Sequence, residues 1–452
     1  MAIRTRTLAL LVSSQIGSAV GSSISAFGAS IWVFQETGST TLLALVFLAS
    51  LAPGALIGTV AGAAVDRHDR RRVMLVADSV AGLATLVAVV LLGLGVLAWW
   101  HLALVAAAIS VTSAYQEPAY SAALPELASR ENLSRVNGAV QIGPALALIV
   151  GPAVGGALVA TVGLGAAFAV DLVTFVVAVA VLSRVKFDFT ADASAPSEQA
   201  SPSEQASPSV EGGTGTQIRE GWQELRRRPG LLLLTALAGG INFLFGFVNV
   251  LLLPLLLGFT DEASAGLAFG AAGVGMLAGS LAMATWRGPR SHVTVIALGI
   301  TALGIATTVM ALRPSVVLIA VGLAFVMASV PVVSTASKTL AQLAVNDRVR
   351  GRVFGIRRAI ATAAMPVSYL LAGPLAEGVF EPSMSSGGWL ATVLGPVVGI
   401  GSGRGIAALF LLCGAGVAAV GLLIGRSRSL RRLEVELDAE PVPEPARAPL
   451  PA

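Results

Sequence analysis

A single cysteine, Cys413, leaves the chain without a disulfide framework and without the thiolate set of a zinc cluster. Charge is nearly as scarce: 12% of the 452 residues are Asp, Glu, Lys or Arg, against 55% hydrophobic, and the mean hydropathy is +0.82. So little polar material cannot cover a soluble globule. Lysine occurs only as Lys186 and Lys338. Histidine occurs only as His68, His101 and His292, which sit in breaks or at an edge of apolar runs, where they pair with no nucleophile and build no metal site. No GxxxxGK[ST] tract is present, so ATP is not the expected energy source. An enzyme is not expected, and neither a cofactor nor a metal is implied.

What the chain has instead is length in apolar runs. A hydrocarbon layer of about 30 Å takes about 20 helical residues. Runs of that size recur near 8–33, 41–63, 74–97, 101–122, 138–160, 165–184, 231–257, 264–285, 293–312, 315–341, 354–376 and 405–425. Alternating ten-residue strands are absent, which predicts an all-α membrane protein of twelve transmembrane helices rather than a barrel. The first run follows Arg4 and Arg6, as a secretory signal would, but it is too long for one and reads as the first span.

The arginines confirm the spacing independently. Arg4, Arg6, Arg67, Arg70 to Arg72, Arg130, Arg135, Arg184, Arg219, Arg226 to Arg228, Arg287, Arg290, Arg348 to Arg358 and Arg426 to Arg432 all fall at even-numbered breaks or termini. The odd breaks hold only Arg313 and Arg404. By the positive-inside rule both termini are cytoplasmic and the span count is even. The net charge of +4 and pI of 9.8 therefore express orientation and contact with anionic lipid, not nucleic-acid binding.

Between spans six and seven the composition breaks into PSEQASPSEQASPS, a repeat unable to bury enough apolar surface to order itself. The tract IREGWQELRRRPG follows, a basic stretch with Trp222 and Leu225 that suits an amphipathic helix on the membrane surface. The expected organisation is a six-helix bundle over 1–185, a disordered linker with that short helix over 186–229, a second six-helix bundle over 230–426, and a cytoplasmic tail over 427–452 that is disordered after Arg432. The halves echo one another: LPEL at 124–127, a basic stretch and Gly151-Pro152 parallel LAQL at 340–343, a basic stretch and Gly373-Pro374. That parallel repeat puts a central site near the midplane between bundles.

The break after span two reads GAAVDRHDRRR. Gly62, Asp66, Arg67, Arg70, Arg71 and Arg72 match the loop signature of major facilitator transporters, with Asp69 where the general motif has Gly. The chain resembles the macrolide-efflux and enterobactin-exporter branch of that superfamily. YQEPAYSAALPEL at 115–127, EGWQELRRRPG at 220–230, RGRVFGI at 350–356, LAGPLAEGVFEP at 371–382 and GIGSGRGIAALF at 399–410 carry the same likeness. The resemblance implies a secondary transporter in the cell membrane, a monomer, exporting a lipophilic small molecule, an antibiotic or related natural product, against a proton flux. Siderophore export is the alternative within the branch, and a non-transporting receptor, scaffold or lipid-handling protein is the alternative outside it.

The resemblance also implies gating by Gly62, Asp66, Arg67, Arg70 and Arg71. Asp66 is expected against the first turn of span eleven near Gly351 to Phe354, where unpaired N–H groups favour an anion, and the arginines are expected to reach Asp78 or Glu126. Gly151, Pro152, Gly155 and Gly156 resemble the core of the antiporter motif, a bend expected to seal the two halves together. Spans one, four, seven and ten line the cavity in this fold, so the helical stripes Ser14, Ser18, Ser22 and Ser25 and Thr235, Asn242 and Asn249 are expected to face it. Ionisable groups inside spans are costly and are functional candidates by default. Glu117 leads as the proton carrier, able to pair with Lys338 near Ser334 across the halves, and Asp171 is second.

Overall fold

In lipid no water is available to satisfy free backbone groups, so each apolar run must close its hydrogen bonds within itself. The computed structural model describes residues 2–127, 133–184, 214–286, 291–345, 347–401 and 403–439, and among them the regular structure is helical throughout. The first half comprises α1 (Ala2–Thr37), α2 (Thr40–Val65), α3 (Arg70–Gly93), α4 (Trp99–Leu127), α5 (Leu133–Thr161) and α6 (Leu164–Arg184). The amphipathic α7 (Thr214–Arg227) leads into α8 (Pro229–Leu257), α9 (Glu262–Thr285), α10 (His292–Leu312), α11 (Val316–Ala344) and α12 (Asp347–Leu375). A single π turn (Ala376–Phe380), the short α13 (Glu381–Ser383) and α14 (Trp389–Val398) precede α15 (Arg404–Arg426) and α16 (Arg428–Ala439).

Among the described residues, eleven helices are long and apolar enough to cross a membrane. The twelfth, α4, spans 29 residues but is diluted by His101, Gln116, Glu117 and a series of hydroxyls; it packs against α2 and α3 with the rest. The breaks are short because their ends are capped locally. Ser39, Asp69, Asp261, Ser291 and Ser315 each accept a backbone N–H from the first turn that follows them. Gly38, at φ +62°, supplies the left-handed residue that lets α1 fold straight back into α2.

Within the first half α1 packs on α5 and α6, α4 on α2 and α3, and α3 on α6; within the second, α8 packs on α12 and α15, α10 on α11 and α15, and α9 on α11. Small residues permit these approaches. A Cβ at Gly275 would lie 1.9 Å from the Ala324 carbonyl oxygen, and one at Gly304 would lie 2.2 Å from the Ala418 nitrogen. Helices in lipid gain little from hydrophobicity and much from such contact.

Two segments depart from the sequence reading. Order does not end at Arg432: α16 continues to Ala439, burying Leu433 as it buries Leu430, and Glu434 accepts N–H groups of His292 and Val293 and the hydroxyl of Ser291 at the start of α10. Its apolar residues recur at helical spacing, a signal outweighed in the reading by the Pro and Glu content further on. The other is α14, ten residues that are too short to span and expose Trp389, Val393 and Val397 along one face. The repeat expected to be disordered, 196–207, lies outside the described residues.

Call the end carrying the helix starts of α1, α3, α5, α8, α10 and α12 the basic end, and the opposite end the far end. The largest buried cluster belongs to the far end and draws on both halves, from Ile31, Leu43 and Phe168 to Leu251, Leu255 and Phe410. Towards the basic end the buried clusters separate by half: Leu11, Val65, Met74, Ala119 and Leu182 in the first, Leu234, Ile296, Ile300, Val326 and Leu340 in the second.

Candidate functional site between the two halves

The halves meet along two antiparallel helix pairs, α5 with α9 and α2 with α12. The first is a glycine seam. A Cβ at Gly156 would stand 2.3 Å from the Glu262 carbonyl oxygen, and one at Gly266 would stand 2.2 Å from that of Pro152. Gly270 and Gly273 continue the line against Ile149. Gly151 and Gly155 face the other way, onto Ser23 and Ile24 of α1. The tract read as a bend is therefore a flat face on both sides: α5 remains helical through Pro144 and Pro152, and its alternating glycines let it touch α1 in its own half and α9 in the other.

The second pair is tight only at the far end. Gly373 of α12 sits so close to Thr41 of α2 that a Cβ would lie 2.2 Å from the Thr41 Cα. Phe47 and Tyr369 meet edge to face at 6.1 Å, and Tyr369 donates to Asn249 of α8 at 3.2 Å. Nearer the basic end, Gly58 and Gly62 of α2 and Gly355 of α12 have nothing within 4 Å of a built Cβ, and Leu56 is 80% exposed. The hydrogen bonds joining the halves gather at the far end. Gln35 bonds Glu262, and Glu377 in the π turn accepts from Ser39, Thr40 and Thr41. A space between the halves thus opens towards the basic end and is shut at the other.

The loop residues expected to gate are distributed differently from the reading. Asp66 is exposed at the end of α2 and forms no side-chain bond among the described residues, because α2 and α12 have parted there; Arg67 is likewise exposed. Arg70 donates to the Ala122 carbonyl of α4 at 2.9 Å, and Arg71 donates to the Leu182 and Ser183 carbonyls of α6 at 2.8 and 2.5 Å. These arginines cap helix C-termini within their own half, a favourable place for a cation. None of them bonds Asp78. That carboxylate is fully buried and is held by Gln15 of α1 at 3.1 Å and by Gln116 of α4, which also donates to Gln15 at 2.9 Å. The Glu126 side chain lies outside the described residues.

Asp171 is the other fully buried carboxylate among the described residues. Ser25 donates to it at 2.7 Å, Ser22 at 2.9 Å and Thr85 at 3.3 Å, so α1, α3 and α6 meet on one acid with no cation paired to it among the described residues. This corrects the serine stripe: Ser22 and Ser25 point into the first bundle, and Ser14 and Ser18 are buried there too, with Ser14 turned back onto the Leu11 carbonyl. Along α8, Thr235 is buried on the Leu231 carbonyl, Asn242 bonds the Ala238 carbonyl and Asn249 serves Tyr369. Glu117 and Lys338 are exposed, and neither forms an ion pair among the described residues.

Sequence reasoning passed over Gln15, Gln116 and Glu377. The amides carry no charge to draw notice, and Glu377 lies at the edge of an apolar run where carboxylates are ordinary. Arg357 was read only as topology. Its guanidinium is mostly enclosed in α12, 5.5 Å above the Phe354 ring and 3.4 Å from the Ser337 hydroxyl of α11, with Nη1 unpartnered.

Two bundles of six helices, joined by tight contacts at one end and parted at the other, define a membrane transporter fold. The chain belongs to the Major Facilitator Superfamily, whose family profile matches residues 11–369. It is 25% identical over 377 residues to macrolide efflux protein A of Streptococcus pyogenes, covering 81% of this chain and 88% of that one. It is 29% identical over 385 residues to the multidrug efflux pump Tap of Mycobacterium tuberculosis (strain ATCC 25618 / H37Rv), covering 81% and 86%. Among solved structures, a bacterial homologue of the iron transporter ferroportin in an inward-facing state superposes with a TM-score of 0.68 at 15% identity, over 94% of this chain and 99% of that one. An inward-facing bacterial homologue of the lysosomal transporter Spinster gives 0.65 at 14%, over 97% and 99%.

Proposed function

We propose that this transporter exports amphipathic or hydrophobic small molecules, antibiotics or related natural products, by proton antiport with alternating access. Both termini are cytoplasmic, so the basic end is the inner one. The observation that carries the reading is the division of the buried clusters, shared between halves at the far end and separate at the basic end. It leaves the halves parted on the side on which an exporter collects its cargo. The efflux relatives favour a lipophilic solute over a siderophore.

Closing the basic end is assigned to α2 and α12. Continuing their antiparallel pairing from Thr41 opposite Gly373 brings Asp66 level with the first turn of α12, whose N–H groups lack helical partners. In this reading Asp66 latches the inner end only when the far end is open, while Arg70 and Arg71 keep the first bundle rigid as it tilts.

Proton coupling is assigned to Asp171, with Glu117 as the second carrier. Ionising a carboxyl in mid-membrane costs about 2.5–3.5 kcal/mol on insertion scales. Asp171 meets that cost with three hydroxyl donors drawn from two neighbouring helices, so a shift of α1 against α3 and α6 changes its ability to hold charge. Each proton moving inward yields roughly 2.3 kcal/mol per 100 mV.

The test is expression in a pump-deficient bacterium. Resistance to macrolides or other lipophilic drugs should rise, accumulated drug should fall, and an uncoupler should abolish both effects. Wild-type susceptibility across lipophilic drugs at normal membrane abundance would refute the substrate class; efflux indifferent to uncoupler would refute the proton drive.

A further inference from the structure

Glu377 belongs to the second half, yet its carboxylate is bonded to the first. Oε1 accepts from the Ser39 and Thr40 hydroxyls, both at 2.9 Å, and from the Thr41 N–H at 3.0 Å, while Oε2 accepts from the Thr41 hydroxyl at 2.6 Å. Folding of α2 does not require this. Ser39 already caps that helix by accepting the Leu42 N–H at 3.2 Å. Four residues further on, Glu381 does the same kind of work inside its own half, accepting from Gly403 and Ile406 N–H at the start of α15, each at 3.2 Å. One segment thus carries two carboxylates on two helix N-termini, one fixed within a bundle and one across the divide. Glu377 sits in the π turn, a local irregularity that recurs at functional sites, and Gly373 one turn earlier is what brings α12 close enough to α2 for the reach.

We infer that Glu377 is the carboxylate that latches the far end shut, and that a proton arriving from the compartment at that end releases it. The sign follows from hydrogen-bond chemistry. The ionised carboxylate accepts from all four donors and complements the positive end of the α2 dipole; the protonated group loses the charge that strengthens each bond, and one oxygen becomes a donor facing other donors. The latch therefore holds at higher pH and weakens as pH falls at the far end. Its neighbours leave it to act alone. No charged residue occurs in α2, the arginines of α12 stand at the basic end, α13 contributes only Glu381, which is occupied by α15, and Arg404 of α15 lies beside Gly399. The Gln35 to Glu262 bond is the adjacent tie between halves.

The inference rests on the export reading only for the direction of proton flow. Spin labels at Val162→Cys and Val317→Cys, 72% and 71% exposed at the far end of either half, report its opening in full-length Cys413→Ala protein in lipid nanodiscs. Lowering the pH from about 7 to about 3.5, past the ordinary glutamate value near 4.3, should move the parent from the short distance to the long one. Glu377→Gln should favour the long distance already at the higher pH, raising the open-to-closed ratio about tenfold, the size of one charge-assisted bond lost, and should abolish the pH response. Thr41→Val, from the opposite half, should shift the ratio in the same direction, whereas Glu381→Gln should keep the parent's pH response. A Glu377→Gln distribution identical to the parent's would overturn the latch, and one shifted but still pH-responsive would overturn the proton's part in it. The measurement needs neither substrate nor gradient, so absent drug efflux would sink the export reading alone.

Discussion

Gly155 and Gly156 are consecutive in sequence and identical in chemistry, yet substituting them should have different consequences. A Cβ at Gly156 meets the Glu262 carbonyl oxygen of the other half at 2.3 Å, whereas one at Gly155 meets the Ile24 carbonyl oxygen of its own half at 2.8 Å. Ordinary contact begins near 3.4 Å, so Gly156→Ala forces the α5 and α9 backbones about 1 Å apart with no flexible side chain to yield. Overpacking of this kind costs about 1–3 kcal/mol. At Gly156 the cost falls only on conformations closed at the far end, so it shifts the balance between closed and open about 5- to 150-fold. At Gly155 both conformations bear it, and the loss appears as lower thermal stability. The reporter is Ala153→Cys in Cys413→Ala protein, since the Ala153 Cβ lies 3.6 Å from a Cβ built at Gly270, inside the same seam. Alkylation by an impermeant maleimide from the far side should accelerate by that factor in Gly156→Ala and change little in Gly155→Ala. Equal acceleration by both substitutions, or none by Gly156→Ala at normal abundance, would refute the assignment of the seam to conformational balance.

Asp171→Asn keeps the shape of the acid and removes its charge, so uncoupler-sensitive efflux should be lost while drug binding persists; coupled efflux at the parental rate would exclude this acid as the carrier. Glu117→Gln tests the second carrier in proteoliposomes, where retained substrate-driven proton exchange would exclude it. Asp66→Asn should cut transport while sparing insertion and should slow closure of the basic end; unchanged transport at normal abundance would refute the inner latch. Glu434→Ala removes the carboxylate from the start of α10 and should cost about 0.5–2 kcal/mol, the range for a lost cap, visible as a lower melting temperature in detergent.

The spans and the sidedness of charge were legible because the forces behind them are local. An unpaired backbone group in hydrocarbon is penalised wherever it occurs, so about 20 apolar residues announce a helix without reference to any neighbour. The seam was partly legible for a similar reason: Gly151, Pro152, Gly155 and Gly156 mark a surface meant for close approach, whatever approaches it. The serine stripe was misread because helical spacing identifies a face without saying which way the helix is turned. Ser22 and Ser25 share a face with the cavity in a projection of α1, yet the bundle rotates that face onto Asp171.

The chain's order of residues decided by itself that it would cross the lipid as helices, roughly where the spans run, and which ends carry the arginines, since hydration cost and capping act over a few neighbours. Only the packed structure decided which acids are caged and which are exposed, and that Glu377 would reach Ser39, Thr40 and Thr41 more than 330 positions away. Such pairings depend on the rotation and register of helices against one another, and those are set by small residues on several helices acting together rather than by any one stretch of chain.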